Sequence, residues 1–317
     1  MLNPKKKIYI AGHRGLVGSA FKKLCIEHGY QNIITKTRKE LDLQDYNQTR
    51  DFFEEKRPDW VFLAAAKVGG IHGNSIYPTE FLLENLKIQN NVLECARDFH
   101  VEKLLFLGSS CIYPKNCPQP IKEDYLLSGK LEPTNEAYAI AKIAGIKLCH
   151  AMNKQYGTNF MCVMPSNLYG PNDNYHPENG HAIPMLLRRF HEAKLTGKKS
   201  VNVWGTGKPM REFLYSEDLS EACLFLLENF SSNNTGELIN IGTGADCTIK
   251  ELAQTLREVI GFEGVLQFDS SKPDGTLRKV VDTTKINALG WVAKTTLKEG
   301  LRKTYKDFLT NASLRIE

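Results

Sequence analysis

Gly12-His13-Arg14-Gly15-Leu16-Val17-Gly18 follows the apolar run Lys7-Ile8-Tyr9-Ile10-Ala11 and leads into residues 16–28, whose apolar positions recur at helical spacing. A glycine-rich turn from strand into helix lets backbone N–H groups approach a pyrophosphate, and the helix N-terminus adds partial positive charge. Working outward, strands are predicted over 32–36, 59–63, 103–107 and 160–164, alternating with helices over 47–56 and 78–99. Strands and helices alternating at this spacing imply an α/β fold with a doubly wound parallel sheet. Helices over 184–193, 217–228, 248–260 and 297–309 build a smaller, mixed second part.

The expected fold is thus Rossmann-type, with a dinucleotide-binding domain over 1–170 and a mainly substrate-binding α/β domain over 171–317. Part of the later chain returns to the first domain. About 20 residues after the glycines such folds usually carry an acid that holds the adenosine ribose hydroxyls. Here that place reads Thr37-Arg38-Lys39, with no acid before Glu40. Arg38 is suited to a 2′-phosphate, and Arg14 inside the turn supplies a second charge, so NADP is expected rather than NAD. The plain alternative is a solvated Arg38. Asp42 and Leu43 are expected to line the adenine. Ala64-Ala65-Ala66, small residues at a strand's carboxyl end, leave room for the cofactor to pass.

The 317 residues are 42% hydrophobic and 24% charged, as in ordinary globular chains. A net charge of +5 suits a small anionic ligand and is too mild to argue for nucleic acid. No apolar run reaches membrane-span length, and the first 30 residues lack a signal-peptide profile. Eight scattered cysteines without a Cys-x-x-Cys pair point to a reduced, cytoplasmic protein with no metal site.

Two further stretches carry chemistry. Tyr138 and Lys142 stand four residues apart in a predicted helix, so phenol and ammonium share one face, and the ammonium is expected to pull the phenol pKa down. Gly108-Ser109-Ser110-Cys111-Ile112-Tyr113-Pro114 follows the fourth strand, where open α/β folds place their ligands. If that segment stays extended, Ser109 and Cys111 face the same side. A thiolate beside a cation can serve as a general base; the alternative is a buried structural cysteine.

The G-x-x-G-x-x-G spacing resembles the extended branch of the short-chain dehydrogenase/reductase superfamily. Residues 108–114, Glu132 to Lys142, Asn167-Leu168-Tyr169-Gly170-Pro171, His181 to Pro184, Leu187 to His191, Trp204 to Phe213 and Ser271 to Gly275 together resemble the GDP-L-fucose synthase family, from residue 6 to about 310. That resemblance implies an NADP(H)-dependent 3,5-epimerase and 4-reductase acting on GDP-4-keto-6-deoxy-D-mannose.

It assigns a reductase triad of Ser109, Tyr138 and Lys142, with Lys142 also on the nicotinamide ribose, and an epimerising acid–base pair of Cys111 and His181. His13, Leu16, Val17, Pro165, Ser166, Asn167, Leu168 and His181 join the glycines and arginines around the cofactor. Arg189, Trp204, Arg211 and Asp274 hold the nucleotide sugar, although Trp204 reads equally as core, Asp274 as a turn residue and His181 as a helix cap. The loop over 171–180 suits a lid or substrate wall. Family members pair as homodimers through the helix of Tyr138, and the apolar side formed by Ile143, Ile146 and Leu148 permits this. Competing readings are a UDP-hexose 4-epimerase, a 4,6-dehydratase, which carries Asp-Glu where this chain has Cys111-Ile112, or a non-catalytic NADP-binding sensor.

Overall fold

The computed structural model describes residues 3–177, 180–272 and 274–311. Glu178 and Asn179 of the predicted lid, and Pro273 of the predicted turn, lie outside the described residues. The first half runs β1 (Lys7–Ala11), α1 (Leu16–Glu27), β2 (Asn32–Ile34), α2 (Tyr46–Lys56), β3 (Trp60–Leu63), α3 (Ile71–Ile76), α4 (Pro78–Asp98), β4 (Lys103–Leu107), α5 (Glu136–Tyr156) and β5 (Phe160–Pro165). The second half continues with β6 (Asn167–Tyr169), α6 (Ala182–Leu195), β7 (Ser200–Trp204), β8 (Met210–Arg211), β9 (Phe213–Tyr215), α7 (Ser216–Asn229), α8 (Ser232–Thr235) and β10 (Ile239–Ile241). It ends with β11 (Cys247–Thr248), α9 (Ile249–Ile260), β12 (Val265–Asp269), β13 (Arg278–Lys279), α10 (Thr284–Ala288) and α11 (Leu297–Thr310).

Six strands form one parallel sheet in the order β10-β5-β4-β3-β1-β2. Strand parity explains its continuous apolar runs. Tyr9, Val61, Leu104, Phe106 and Cys162 enter one core under α2, α4 and α5, while Ile8, Phe62, Leu105 and Val163 enter another under α1 and α7. A sheet covered on both faces has no polar side to alternate with. The order reverses between β1 and β3, so the crevice at their carboxyl ends is where such a fold receives a ligand. From the later chain, β10 completes this sheet and α7 packs against α1.

A third core gathers α6, α9 and α11 around β7 and β9, with Leu187, Phe190, Leu256 and Leu301 fully buried. The later chain also forms the small sheets β11-β8-β13, β12-β7 and β6-β9. Among the described residues no helix is long and apolar enough to cross a membrane. The apolar side of α5 does not serve the predicted pairing: Ile143 and Ile146 are buried in the first core and Leu148 packs against it. α5 packs against both β5 and α4, so those residues are used inside the subunit; the exposed apolar residue of α5 near the site is Ile140.

Candidate active site

The glycine turn is shaped for close backbone approach. Gly12 has φ +86°, and a Cβ there would lie 2.7 Å from the backbone N of Ala65 and 2.9 Å from the carbonyl carbon of Ala64. The turn after β1 and the alanines after β3 therefore touch, which no side chain would permit. Gly18 lets the first turn of α1 close onto the carbonyl of Gly12 in the same way. Gly15 is the N-cap of α1 and has no side chain to satisfy that helix's free N–H groups, which leaves them for an anion. Leu16 and Val17 form the first helical turn beside it.

Charge surrounds this cradle. Arg14 is exposed on the turn next to His13, whose pKa burial lowers, with Lys22 and Arg14 adding to the effect. Arg38 extends into solvent and, among the described residues, makes only a 3.7 Å ion pair to Glu84, whose carboxylate is already held by Lys67 at 2.7 Å. Asp42 accepts from the Gln44 N–H, and the Leu43 side chain lies in the core. The backbone carbonyl of Leu43 accepts from the Asn91 side-chain amide at 2.9 Å, which fixes this segment after β2. At the far side of the crevice the backbone N–H of Ser166 donates to Ile241, and the Ser166 hydroxyl is buried without a partner among the described residues. Pro165 ends β5, Asn167 donates its side-chain amide to the Glu212 carbonyl, and Leu168 pairs with Leu214. A glycine cradle, two arginines and, across the crevice, an orphaned buried hydroxyl fit a phosphorylated dinucleotide.

At the end of β4 the chain does not stay extended. Ser110 to Ile112 form a turn of 3₁₀ helix, and the Ser109 hydroxyl accepts the Cys111 N–H at 3.4 Å. The strand-parity argument for Ser109 and Cys111 therefore fails, because the serine caps the turn that follows it. The two residues still meet. The Ser109 hydroxyl and the Cys111 thiol both lie near enough to the Tyr138 phenol to act on it electrostatically.

The expected depression of the Tyr138 pKa is also overturned. Burial pushes the phenol well above the ordinary tyrosine range, Cys111 adds to the rise, and the neighbouring Ser109 hydroxyl opposes it. Lys142 donates to the Leu107 carbonyl at 2.9 Å and stands 5.9 Å from the Tyr138 ring centre, and burial brings its own pKa down to about 8. Desolvation thus outweighs the pair's attraction. A phenol that keeps its proton is a proton donor, which is what a reductase requires.

The lysine gives a measurable consequence. Its folded-state pKa of about 8 lies below the ordinary 10.5, so the unfolded chain binds the extra proton between those values. Stability attributable to this group therefore rises with pH across that window and is lowest below it. Relative to Lys142→Met, urea unfolding of the parent protein should gain about 2 kcal/mol between roughly pH 7.5 and pH 10. A difference independent of pH would contradict the assignment.

His181 is the N-cap residue of α6, yet its side chain caps no N–H among the described residues. The residue is exposed, and desolvation on the ring side lowers its pKa. Arg189 lies over the half-exposed Trp204 ring at 5.3 Å and donates to the Asn202 carbonyl. Trp204 is therefore not core. Arg211 is carried by β8 and feels the charge of Asp274, which accepts from the N–H and hydroxyl of Thr206 at 2.7 Å each. Asp274 is a turn clamp as its local sequence allows, and it also lies beside an arginine.

Sequence reasoning passed over three residues. Asn135 donates its side-chain amide to the Cys111 sulfur at 3.2 Å, and Lys279 stands 4.0 Å from that sulfur. Asn135 is three residues before Tyr138, a spacing that shares a helix face and was a usable signal; Lys279 had none. Glu212, fully buried, accepts the N–H groups of Thr243, Gly244 and Val281 at 2.6–2.8 Å and so fixes the segments carrying Arg211 and Lys279.

The pattern of the NAD dependent epimerase/dehydratase family matches residues 8–242. GDP-L-fucose synthase 1 of Arabidopsis thaliana is 54% identical over 315 residues, covering 99% of this chain and 97% of its own. GDP-L-fucose synthase of Escherichia coli (strain K12) is 52% identical over 313 residues, covering 97% and 98%. The crystal structure of a GDP-L-fucose synthetase from Naegleria fowleri bound to NADP is 31% identical, with a TM-score of 0.91 over 100% of this chain and 96% of that one.

Proposed function

The chain belongs to the NAD dependent epimerase/dehydratase family, and on that premise we infer that it is a bifunctional epimerase-reductase. It converts GDP-4-keto-6-deoxy-D-mannose into GDP-L-fucose and uses NADP(H). The observation that carries this reading is one cluster holding two chemistries: the Ser109 hydroxyl beside the Tyr138 phenol, as in a reductase, and the Cys111 thiol on the turn that Ser109 caps.

The C4 carbonyl acidifies the protons on C3 and C5, so one ketone serves both halves of the reaction. Cys111 and His181, taken as the pair on opposite faces of the sugar, remove and return those protons. In each transfer a C–H bond breaks, the proton passes to sulfur or imidazole, and the electron pair delocalises onto the carbonyl oxygen. The hydroxyls of Ser109 and Tyr138 stabilise that oxygen. Bound NADPH supplies the hydride for C4. Tyr138 then gives its proton to the oxygen while Ser109 orients it, and Lys142 holds the floor of the site. Arg189, Trp204, Arg211 and Asp274 are assigned to the nucleotide sugar, with the guanidiniums on its diphosphate. The glycine turn, Arg14, Arg38, Asp42, Ala65 and residues 165–168 are assigned to the dinucleotide. A homodimer through α4 and α5 is part of this reading, supported by exposed Leu83 and Ile140; so is a cytoplasmic location, supported by eight free thiols.

Purified protein should oxidise NADPH when given GDP-4-keto-6-deoxy-D-mannose; absence of oxidation favours the sensor reading. Arg38→Ala should raise KM for NADPH about tenfold or more while leaving KM for NADH within about twofold, the loss of one charge-assisted phosphate contact. Steady-state kinetics with both cofactors measures it, and equal changes would return Arg38 to the solvated surface.

A further inference from the structure

The sulfur of Cys111 is held from two sides by groups that no reaction step above uses. Asn135 reaches it from the turn before α5, with Nδ2 at 3.2 Å, and its Oδ1 is buried without a partner among the described residues. Lys279 reaches it from β13 in the other half of the molecule, with Nζ at 4.0 Å. The approach of Lys279 is built in. Ile121 bridges to Val281, the N–H of Ile121 donates to Val280 and that of Asp282 to Ile121, both at 2.8 Å, and Gln119 accepts the Val280 N–H at 2.9 Å. From the other edge, Glu212 accepts the Val281 N–H and donates its own N–H to the Lys279 carbonyl. Its neighbour Arg278 is neutralised by Asp246, whereas among the described residues no carboxylate pairs with Lys279.

Whichever way a proton moves between carbon and sulfur, one end of the transfer leaves the sulfur anionic. An ammonium at this distance and a directed amide N–H both stabilise that charge, and more so in a partly desolvated site than in water. We propose that Lys279 and Asn135 are positioning residues for the epimerisation half of the reaction, holding the Cys111 sulfur and its negative charge. The proposal rests on the reading of Cys111 as the proton-transferring thiol. It implies that the proton-exchanging group functions only when the two halves of the chain are docked, because its two holders come from different halves.

The test follows exchange of the C3 and C5 protons of GDP-4-keto-6-deoxy-D-mannose with D2O, and separately the oxidation of GDP-L-fucose by NADP+. The second reaction moves only the C4 hydride and the C4 hydroxyl proton, so it needs no thiol. Lys279→Met should slow exchange about tenfold or more, the size of one contact to a charged group. It should slow GDP-L-fucose oxidation far less, with KM for the sugar nucleotide within about threefold, and Lys279→Arg should recover most of the exchange. Asn135→Ala should show the same bias toward exchange. Unchanged exchange in Lys279→Met, an equal loss of both reactions, or a change in KM alone would overturn the proposal. Cys111→Ser run alongside separates the two levels. If it loses exchange while Lys279→Met does not, only the positioning role falls; if it keeps exchange, the reading beneath it falls as well.

Discussion

Cys111→Ser should cut exchange of the substrate's C3 and C5 protons with solvent deuterium by about 10²–10⁴-fold, the range of a lost general acid–base group. A hydroxyl is a far poorer proton acceptor than a thiolate, and the change removes little volume, so the fold should stay intact. Cys111 is half-buried in the middle of the 3₁₀ turn, and the Ser109 cap that shapes the turn binds the backbone N–H rather than the sulfur. NADPH affinity, read by fluorescence titration, should therefore be unchanged. Normal exchange in the variant would remove Cys111 from the mechanism.

Tyr138→Phe should produce the complementary defect. Hydride transfer loses its proton donor and should fall by about 10³-fold or more, while exchange loses only one of two donors to the carbonyl oxygen and should fall by about 10²-fold at most. The high pKa of the phenol fits this role, since burial keeps its proton in place until the oxygen develops charge. Single-turnover NADPH oxidation and NMR-detected exchange on the same preparation measure both. A variant losing exchange more than reduction would contradict the division of labour.

Much of this was legible before the structure. The sheet could be read because its strands are buried on both faces and announce themselves as apolar runs, and Gly12 and Gly18 because close backbone approach admits no other residue. Local inference failed where a short-range hydrogen bond competed with an extended chain, as with Ser109 capping the turn of Cys111. It failed again where burial set the electrostatics: spacing alone brought Lys142 near Tyr138, but spacing says nothing about desolvation, which moves both groups the other way from the paired expectation. Ile143 and Ile146 looked free because a helix's apolar side does not say which neighbour covers it. Lys279 was invisible because it meets Cys111 across 168 residues of chain, through a short strand whose sequence carries no motif.

The central claim is that one site both exchanges protons at C3 and C5 and delivers hydride at C4. Incubating the protein with GDP-4-keto-6-deoxy-D-mannose and NADPH in D2O, and reading the product by NMR, tests it most directly. The account predicts a GDP-6-deoxyhexose of L-fuco configuration, with deuterium at C3 and C5 and protium at C4. A D-rhamno product without deuterium at C3 and C5 would contradict it.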